Sequence, residues 1–163
     1  MQLPTMPSFS LKGRSALVVG ASSGIGTACA VALAEYGAKV TVAARRKEKL
    51  EILVNSAGIA KHSTAKNTVL DDYEIVMKTN LRGAYFLTQS VSKKLIASKK
   101  AGSLINISSQ MGLVGGQERA VYCASKHAVE GFTKAMAIEL GVHNIRVNTI
   151  CPCLLYTSPS PRD

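Results

Sequence analysis

Tyr122 and Lys126 stand four residues apart in the segment YCASK, and Ser109 precedes Tyr122 by thirteen residues. If residues 121–140 form a helix, Tyr122 and Lys126 lie on one helix face about a turn apart. An ammonium group at that distance stabilises the phenolate, so the tyrosine is a candidate proton donor or acceptor. Ser109 follows a predicted strand, where its hydroxyl can hydrogen-bond a substrate oxygen. This set indicates interconversion of a carbonyl and an alcohol.

A glycine-rich turn, GASSGIG at residues 20–26, lies between an apolar run of strand length and a predicted helix. Glycines let the backbone turn tightly and approach a ligand, and the free N–H groups at a helix start favour an anion such as a pyrophosphate. The alternative is a tight strand-to-helix connection with no ligand. The candidate cofactor contacts in this turn are Gly20, Ser22, Ser23, Gly24, Ile25 and Gly26.

Alternating strands and helices must position these residues. Strands are predicted at 15–19, 39–42, 52–54, 103–107 and 145–150, and helices at 24–36, 70–80, 82–98 and 121–140. This order predicts an α/β protein with a Rossmann-type, doubly wound parallel sheet. Length and a hydrophobic content of 47% fit one domain, which we place at residues 1–152. Residues 153–163 have no helical or strand period and are expected to be a disordered tail or foreign to the domain.

Four motifs occur in an order that resembles the short-chain dehydrogenase/reductase family: GASSGIG at 20–26, NSAG at 55–58, INISS at 105–109 and YCASK at 122–126. The surrounding sequence over residues 9–152 is similar to bacterial members that act on sugars, sugar acids or 3-oxoacyl groups. The resemblance implies hydride transfer between a nicotinamide cofactor and a carbonyl or secondary alcohol. It also implies a homo-oligomer, in which the helices at 82–98 and 121–140 pack across a dimer interface.

The resemblance also assigns roles to single residues. It implies a catalytic set of Asn80, Ser109, Tyr122 and Lys126, in which Asn80 holds a water of the proton relay and Lys126 also binds the ribose of the cofactor. Asn80 has an alternative interpretation as a helix-end asparagine that bonds local backbone. Further cofactor contacts are implied at Asn55, Ala57, Gly58, Tyr122, Lys126 and Pro152, beside the glycine-rich turn.

The residues after the second strand bear on the choice of cofactor. Enzymes that use NAD place an acidic residue there, whereas an arginine accepts the 2′-phosphate of NADP. Here the chain has Arg45 and Arg46 and no acid, which predicts NADP(H), with NAD(H) as the second choice. The alternative is that Arg45, Arg46, Lys47 and Lys49 form a solvated basic helix face.

Two departures from the family pattern predict an incomplete fold. Between Leu50 and Glu51 the family carries roughly thirty to forty more residues, including one edge strand. Only nine residues separate Val42 from Ile52, too few for the usual helical crossover between parallel strands. After Pro152 the C-terminal substrate segment of the family is missing. An inactive truncated remnant, or pseudoenzyme, is therefore the alternative function.

Composition bounds the remaining possibilities. The net charge of +10 is typical of proteins that bind nucleic acid. Only 5% of residues are aromatic, however, which leaves no surface on which bases could stack, so a non-specific nucleic-acid binder is the last alternative. The four cysteines and three histidines lack metal-ligand spacing, and no metal is expected. The first ten residues lack a basic and apolar leader, and no apolar run is long enough to span a membrane, so a cytoplasmic location without membrane association is expected.

Overall fold

The computed structural model describes residues 8–42 and 50–153. Five parallel strands form one sheet in the order β2-β1-β3-β4-β5. The strands are β1 (Ser15–Val19), β2 (Lys39–Val42), β3 (Ile52–Asn55), β4 (Gly102–Ile107) and β5 (Ile145–Ile150). The α-helices are α1 (Gly24–Glu35), α2 (Leu70–Val76), α3 (Ala84–Ala97) and α4 (Ala120–Gly141). A π-helical segment, Met77–Gly83, joins α2 to α3, and two single 3₁₀ turns cover Ala65–Asn67 and Gln110–Gly112.

Consecutive residues of each strand face opposite sides of the sheet, and each side is covered by helices. On one side Leu17, Leu53 and Leu104 pack with Leu95 of α3 and Met136 of α4. On the other side Val18, Val54 and Ile107 pack against apolar residues of α1. The near-continuous apolar character of these strands is typical of a parallel sheet buried on both faces. The predicted Rossmann-type α/β fold is confirmed.

The predicted elements are found with end positions that differ by at most a few residues. The clearest difference lies between residues 70 and 98, where two helices were predicted and the structure adds the π-helical segment between them. Such i→i+5 turns are rare and are frequently found at functional sites. This segment carries Asn80, one of the predicted catalytic residues.

The sheet also bears on the predicted missing segment. Both β2 and β3 pair with β1, on its two opposite sides, so β2 is an edge strand in the part of the chain that is described. Residues 43–49, which connect these strands, lie outside the described residues, as does the predicted tail from residue 154 onward. The proposed domain limits therefore stay a prediction.

Candidate active site

A cavity of about 400 Å³ lies where β3, β4 and β5 end. It is lined by Ile25 of the glycine-rich turn, by Ser56 and Gly58 after β3, by Ser109 after β4, by Tyr122 and Lys126 of α4, and by Pro152 after β5. Open parallel sheets bind their ligands at the carboxyl ends of the strands. A slightly larger cavity of about 460 Å³ lies at the amino ends, beside Arg14, Glu51 and Arg146. None of the predicted site residues lines that cavity, so we assign the site to the smaller one.

Tyr122 and Lys126 are brought together on the first turns of α4, as the sequence predicts. The Lys126 side chain is buried, and its Nζ lies 5.6 Å from the centre of the Tyr122 ring. Nζ also donates a hydrogen bond of 2.8 Å to the Ile107 carbonyl at the end of β4. Burial lowers the pKa of Lys126 to about 8, although the nearby Cys151 and Glu130 act in the opposite direction. The ammonium is therefore fixed in place and close to its titration range.

Ser109 faces the same cavity and begins the 3₁₀ turn that follows β4. Its Oγ accepts a hydrogen bond of 3.1 Å from the Met111 backbone N–H. The hydroxyl proton therefore remains available for a ligand. Ser108, the weaker candidate, is buried, and its Oγ lies 3.5 Å from the Lys126 carbonyl.

Asn80 is fully buried and makes long-range contacts, contrary to the alternative in which it bonds local backbone. Its Oδ1 accepts from the Ile59 N–H at 2.8 Å, and its Nδ2 donates to the Ile59 carbonyl at 2.8 Å. Nδ2 also donates to Ser125 Oγ at 3.1 Å. A Cβ added at Gly58 would lie 3.4 Å from both Asn80 Oδ1 and Lys126 Nζ. Asn80 thus fixes the loop after β3 beside Lys126.

The glycine-rich turn packs closely against backbone of the same chain. Gly20 has φ +77°, and a Cβ added there would lie 2.5 Å from the Ala57 backbone nitrogen. A Cβ at Gly26 would overlap the Gly20 carbonyl oxygen. Ser23, at the N-cap of α1, makes no side-chain hydrogen bond to the helix, and no acidic residue occupies the first turn. The free N–H groups at this helix start therefore fit a pyrophosphate.

Some of the other predicted cofactor contacts line the cavity, and others do not. Gly58 and Pro152 line the cavity, whereas Asn55 is buried, with its Nδ2 donating to Asn106 Oδ1 at 3.1 Å and its Oδ1 accepting from Ala57 N at 3.3 Å. Asn55 therefore shapes the loop from within the sheet. Arg45 and Arg46 lie outside the described residues, so their role stays a prediction.

Sequence reasoning missed a buried polar network under the site. Asn106, the register partner of Asn55, accepts from Thr88 of α3 at 3.3 Å and donates to Thr133 of α4 at 3.4 Å. Glu130, one turn beyond Lys126, was also missed. Their only sequence signal is a polar residue at a position whose neighbours along the strand or helix are apolar.

The chain belongs to the short chain dehydrogenase family. The sequence model of that family matches it in two blocks, residues 14–51 and 44–161. Membership confirms the predicted class, an oxidoreductase that acts on carbonyl or alcohol groups. The blocks overlap where the missing segment was predicted, and the second block extends into the predicted tail.

Individual relatives agree with this assignment. D-erythrulose reductase of Gallus gallus is 33% identical over 184 aligned residues, which cover 93% of this chain and 75% of the relative. The structure of a proposed 2-deoxy-D-gluconate 3-dehydrogenase from Agrobacterium tumefaciens with bound NADP has a TM-score of 0.86 at 35% identity, covering 90% of this chain and 74% of that one. The structure of 4-hydroxyisoleucine dehydrogenase with NADH has a TM-score of 0.77 at 32% identity, covering 85% and 74%. These cofactors agree with the predicted NADP(H), with NAD(H) second.

The alignment with the Gallus gallus enzyme is longer than the part of this chain that enters it. The chain contributes 93% of its 163 residues to 184 aligned positions, so about thirty positions are present in the relative alone.

In the described residues no helix is both long and apolar enough to cross a membrane. Nor does any group of three or more His, Cys, Asp or Glu in 8–42 and 50–153 have the placement for a metal ion.

Proposed function

We propose that this chain transfers hydride between NADP(H) and a small carbonyl or secondary alcohol substrate, with Ser109, Tyr122 and Lys126 as its catalytic residues. The observation that carries this proposal is the buried Lys126, held by the Ile107 carbonyl beside the Tyr122 ring in the cavity that Ser109 also lines. The cavity volume of about 400 Å³ is within the usual range for small-molecule sites, about 300–1,000 Å³.

A bound nicotinamide would supply the hydride in the reducing direction and accept it in the oxidising direction. In the reducing direction the Tyr122 hydroxyl donates its proton to the carbonyl oxygen, so that the product is a neutral alcohol. The Ser109 hydroxyl donates a hydrogen bond to the same oxygen and stabilises the charge that develops there. The Lys126 ammonium stabilises the phenolate left on Tyr122. In the oxidising direction each proton step reverses.

Asn80 and the cofactor contacts complete the proposal. The side-chain hydrogen bonds of Asn80 go to Ile59 and Ser125, which supports a role in holding the Gly58–Ile59 loop at Lys126. Its predicted role in holding a relay water stays a prediction. The turn residues Gly20–Gly26 bind the pyrophosphate, Gly58, Lys126 and Pro152 face the nicotinamide end, and Arg45 binds the 2′-phosphate, with Arg46 second.

We further propose a homo-oligomer formed through α3 and α4. Large apolar side chains are exposed on these helices, among them Phe86 at 55% and Ile138 at 80%. Light scattering of the wild type and of Phe86→Ser tests this, because the substitution should lower the measured mass. A cytoplasmic location also stays a prediction.

The experiment that tests the function is NADPH-induced thermal stabilisation of the chain, followed by an assay with ketones, aldehydes and sugar acids. Stabilisation by NADPH, together with turnover that Tyr122→Phe removes, is expected of the reductase. Stabilisation without turnover would favour the inactive remnant, for which the internal gap of about thirty positions is the specific reason. Absence of NADPH binding, with nucleic-acid binding that falls steeply with salt, would favour the basic binder.

A further inference from the structure

Glu130 is a buried carboxylate to which the proposed chemistry gives no part. It is 7% exposed and lies on α4 one turn after Lys126. Its Oε2 accepts a hydrogen bond from Thr149 Oγ1 at 2.9 Å, and its Oε1 accepts one from Cys151 Sγ at 3.1 Å. A buried carboxylate is costly unless donors compensate for the lost water. Both donors come from the end of β5 and the residues that follow it.

The Glu130 side chain lies between two segments that line the cavity, the 3₁₀ turn after Ser109 and the residues after β5, of which Pro152 forms one wall. A Cβ added at Gly112, the last residue of the 3₁₀ turn after Ser109, would lie 3.2 Å from Glu130 Cγ and 2.7 Å from Ser108 Oγ. On the other side Cys151 leads directly into Pro152, whose carbonyl accepts from Gln110 N–H at 3.0 Å. The carboxylate thus ties the segment after β5 to the turn that presents Ser109.

The electrostatics agree with an ionised carboxylate. Burial, the largest influence, raises the pKa of Glu130, but the Ser108 hydroxyl, the hydrogen bonds from Cys151 and Thr149 and the charge of Lys134 together outweigh burial and lower it. The titratable groups that face it are Lys134 and Lys126 from α4 and Cys151 from the segment after β5; Ser108 contributes only a hydroxyl. Burial, followed by the Glu130 carboxylate, raises the pKa of the Cys151 thiol.

We infer that Glu130 is a positioning residue of the active site, whose carboxylate holds Thr149 and Cys151 and thereby keeps the Pro152 wall against the Ser109 turn. The inference rests on the proposed function, because that wall faces the nicotinamide end of the cofactor. An apolar side chain of similar size would fill the same space and often preserves stability when it replaces a buried charge. It would leave the two donors, Thr149 on β5 and Cys151 after it, without their acceptor, so Pro152 would no longer be held against the Ser109 turn even in a stable fold.

Alkylation of Cys151 by iodoacetamide reports on this contact without any need for cofactor. In a background with Cys29, Cys123 and Cys153 replaced by alanine, Glu130→Gln removes the negative charge beside the thiol. The thiolate should form more readily, and each unit by which the thiol pKa falls should speed alkylation about threefold, because lower nucleophilicity offsets part of the gain. Thr149→Val is the matched control. It removes the Thr149 hydroxyl, which acts to lower the pKa of the Cys151 thiol, and keeps the carboxylate, so alkylation should be unchanged or slower.

The opposite directions of the two variants separate positioning from general loosening, which would speed alkylation in both. An unchanged rate in Glu130→Gln would overturn the inference. NADP⁺ titration supplies the second measurement: affinity should fall about tenfold in Glu130→Gln, the scale of one hydrogen bond to a charged group. Should Glu130→Gln not fold, Cys151→Ser, which keeps a donor, should bind NADP⁺ more tightly than Cys151→Val, and equal affinities would overturn it. If the wild type does not bind NADP⁺, the proposed function fails, and the alkylation rates still decide the role of Glu130.

Discussion

Two glycines of the same turn offer a matched test of how closely β1 and β3 must approach. Gly20 has φ +77° and Gly24 has φ +60°, so alanine is strained by about 1–2 kcal/mol at either position. A Cβ at Gly24 has nothing within 4 Å, whereas a Cβ at Gly20 would lie 2.5 Å from Ala57 N and 2.6 Å from Ser56 C. These are backbone atoms, which cannot rotate away as a side chain can. Gly24→Ala therefore measures backbone strain alone, and Gly20→Ala measures strain plus overlap.

The overlap sets the difference between the two variants. Ordinary contact begins at about 3.4 Å, so the loop after β3 must move by about 1 Å, which strains the hydrogen bond from Ser56 N to the Val19 carbonyl at 2.8 Å. Overpacking of this kind costs about 1–3 kcal/mol. We expect Gly24→Ala to lower the free energy of unfolding by about 1 kcal/mol and Gly20→Ala by about 3 kcal/mol, measured by urea denaturation. Equal losses would refute the close approach at Gly20, and so would full NADP⁺ binding by Gly20→Ala.

Further predictions concern the catalytic residues and the cofactor. Because the pKa of Lys126 falls from 10.5 in the unfolded chain to about 8 in the fold, the unfolded state binds more protons between these values. Stability of the wild type should therefore rise with pH from 8 to 10.5 by about 3 kcal/mol relative to Lys126→Met, and parallel pH curves in urea denaturation would contradict the buried ammonium. In a form with the predicted missing segment inserted between residues 50 and 51, Tyr122→Phe should lower turnover by about 10² or more and leave NADPH affinity little changed; retained turnover would exclude Tyr122 as the proton donor. In the same form Arg45→Asp should reverse the preference for NADPH over NADH. Unchanged selectivity would exclude Arg45 as the contact of the 2′-phosphate. If the chain is instead the inactive remnant, the chain without the inserted segment should show no steady turnover, because displacements of about 1 Å already cost 10²-fold, and measurable turnover would exclude that alternative.

Local patterns were enough to predict most of the fold. Apolar runs predicted β1, β3 and β4 because a strand buried on both faces is continuous in hydrophobicity. The Tyr122–Lys126 spacing predicted that both side chains lie at one cavity because α4 is a regular helix. The π-helical segment was not predictable, since an i→i+5 turn leaves no periodicity that a short window can detect. The hydrogen bonds of Asn55 and Glu130 depend on which strands become neighbours. These partners are far apart in the sequence, so a local pattern does not indicate them.

The pairing of Asn55 with Asn106 has a consequence for how the chain finds its fold. These residues are register partners on β3 and β4, and the same two side chains share a hydrogen bond of 3.1 Å. If β3 slipped by one residue along β4, every side chain of the strand would change face, and both amides would be buried without each other. Each buried amide left without a hydrogen-bond partner costs about 1–3 kcal/mol of folding free energy. Neighbouring apolar side chains can contact other apolar side chains after a slip, so they lose less. The two asparagines therefore discriminate against misaligned sheets that hydrophobic collapse alone would tolerate.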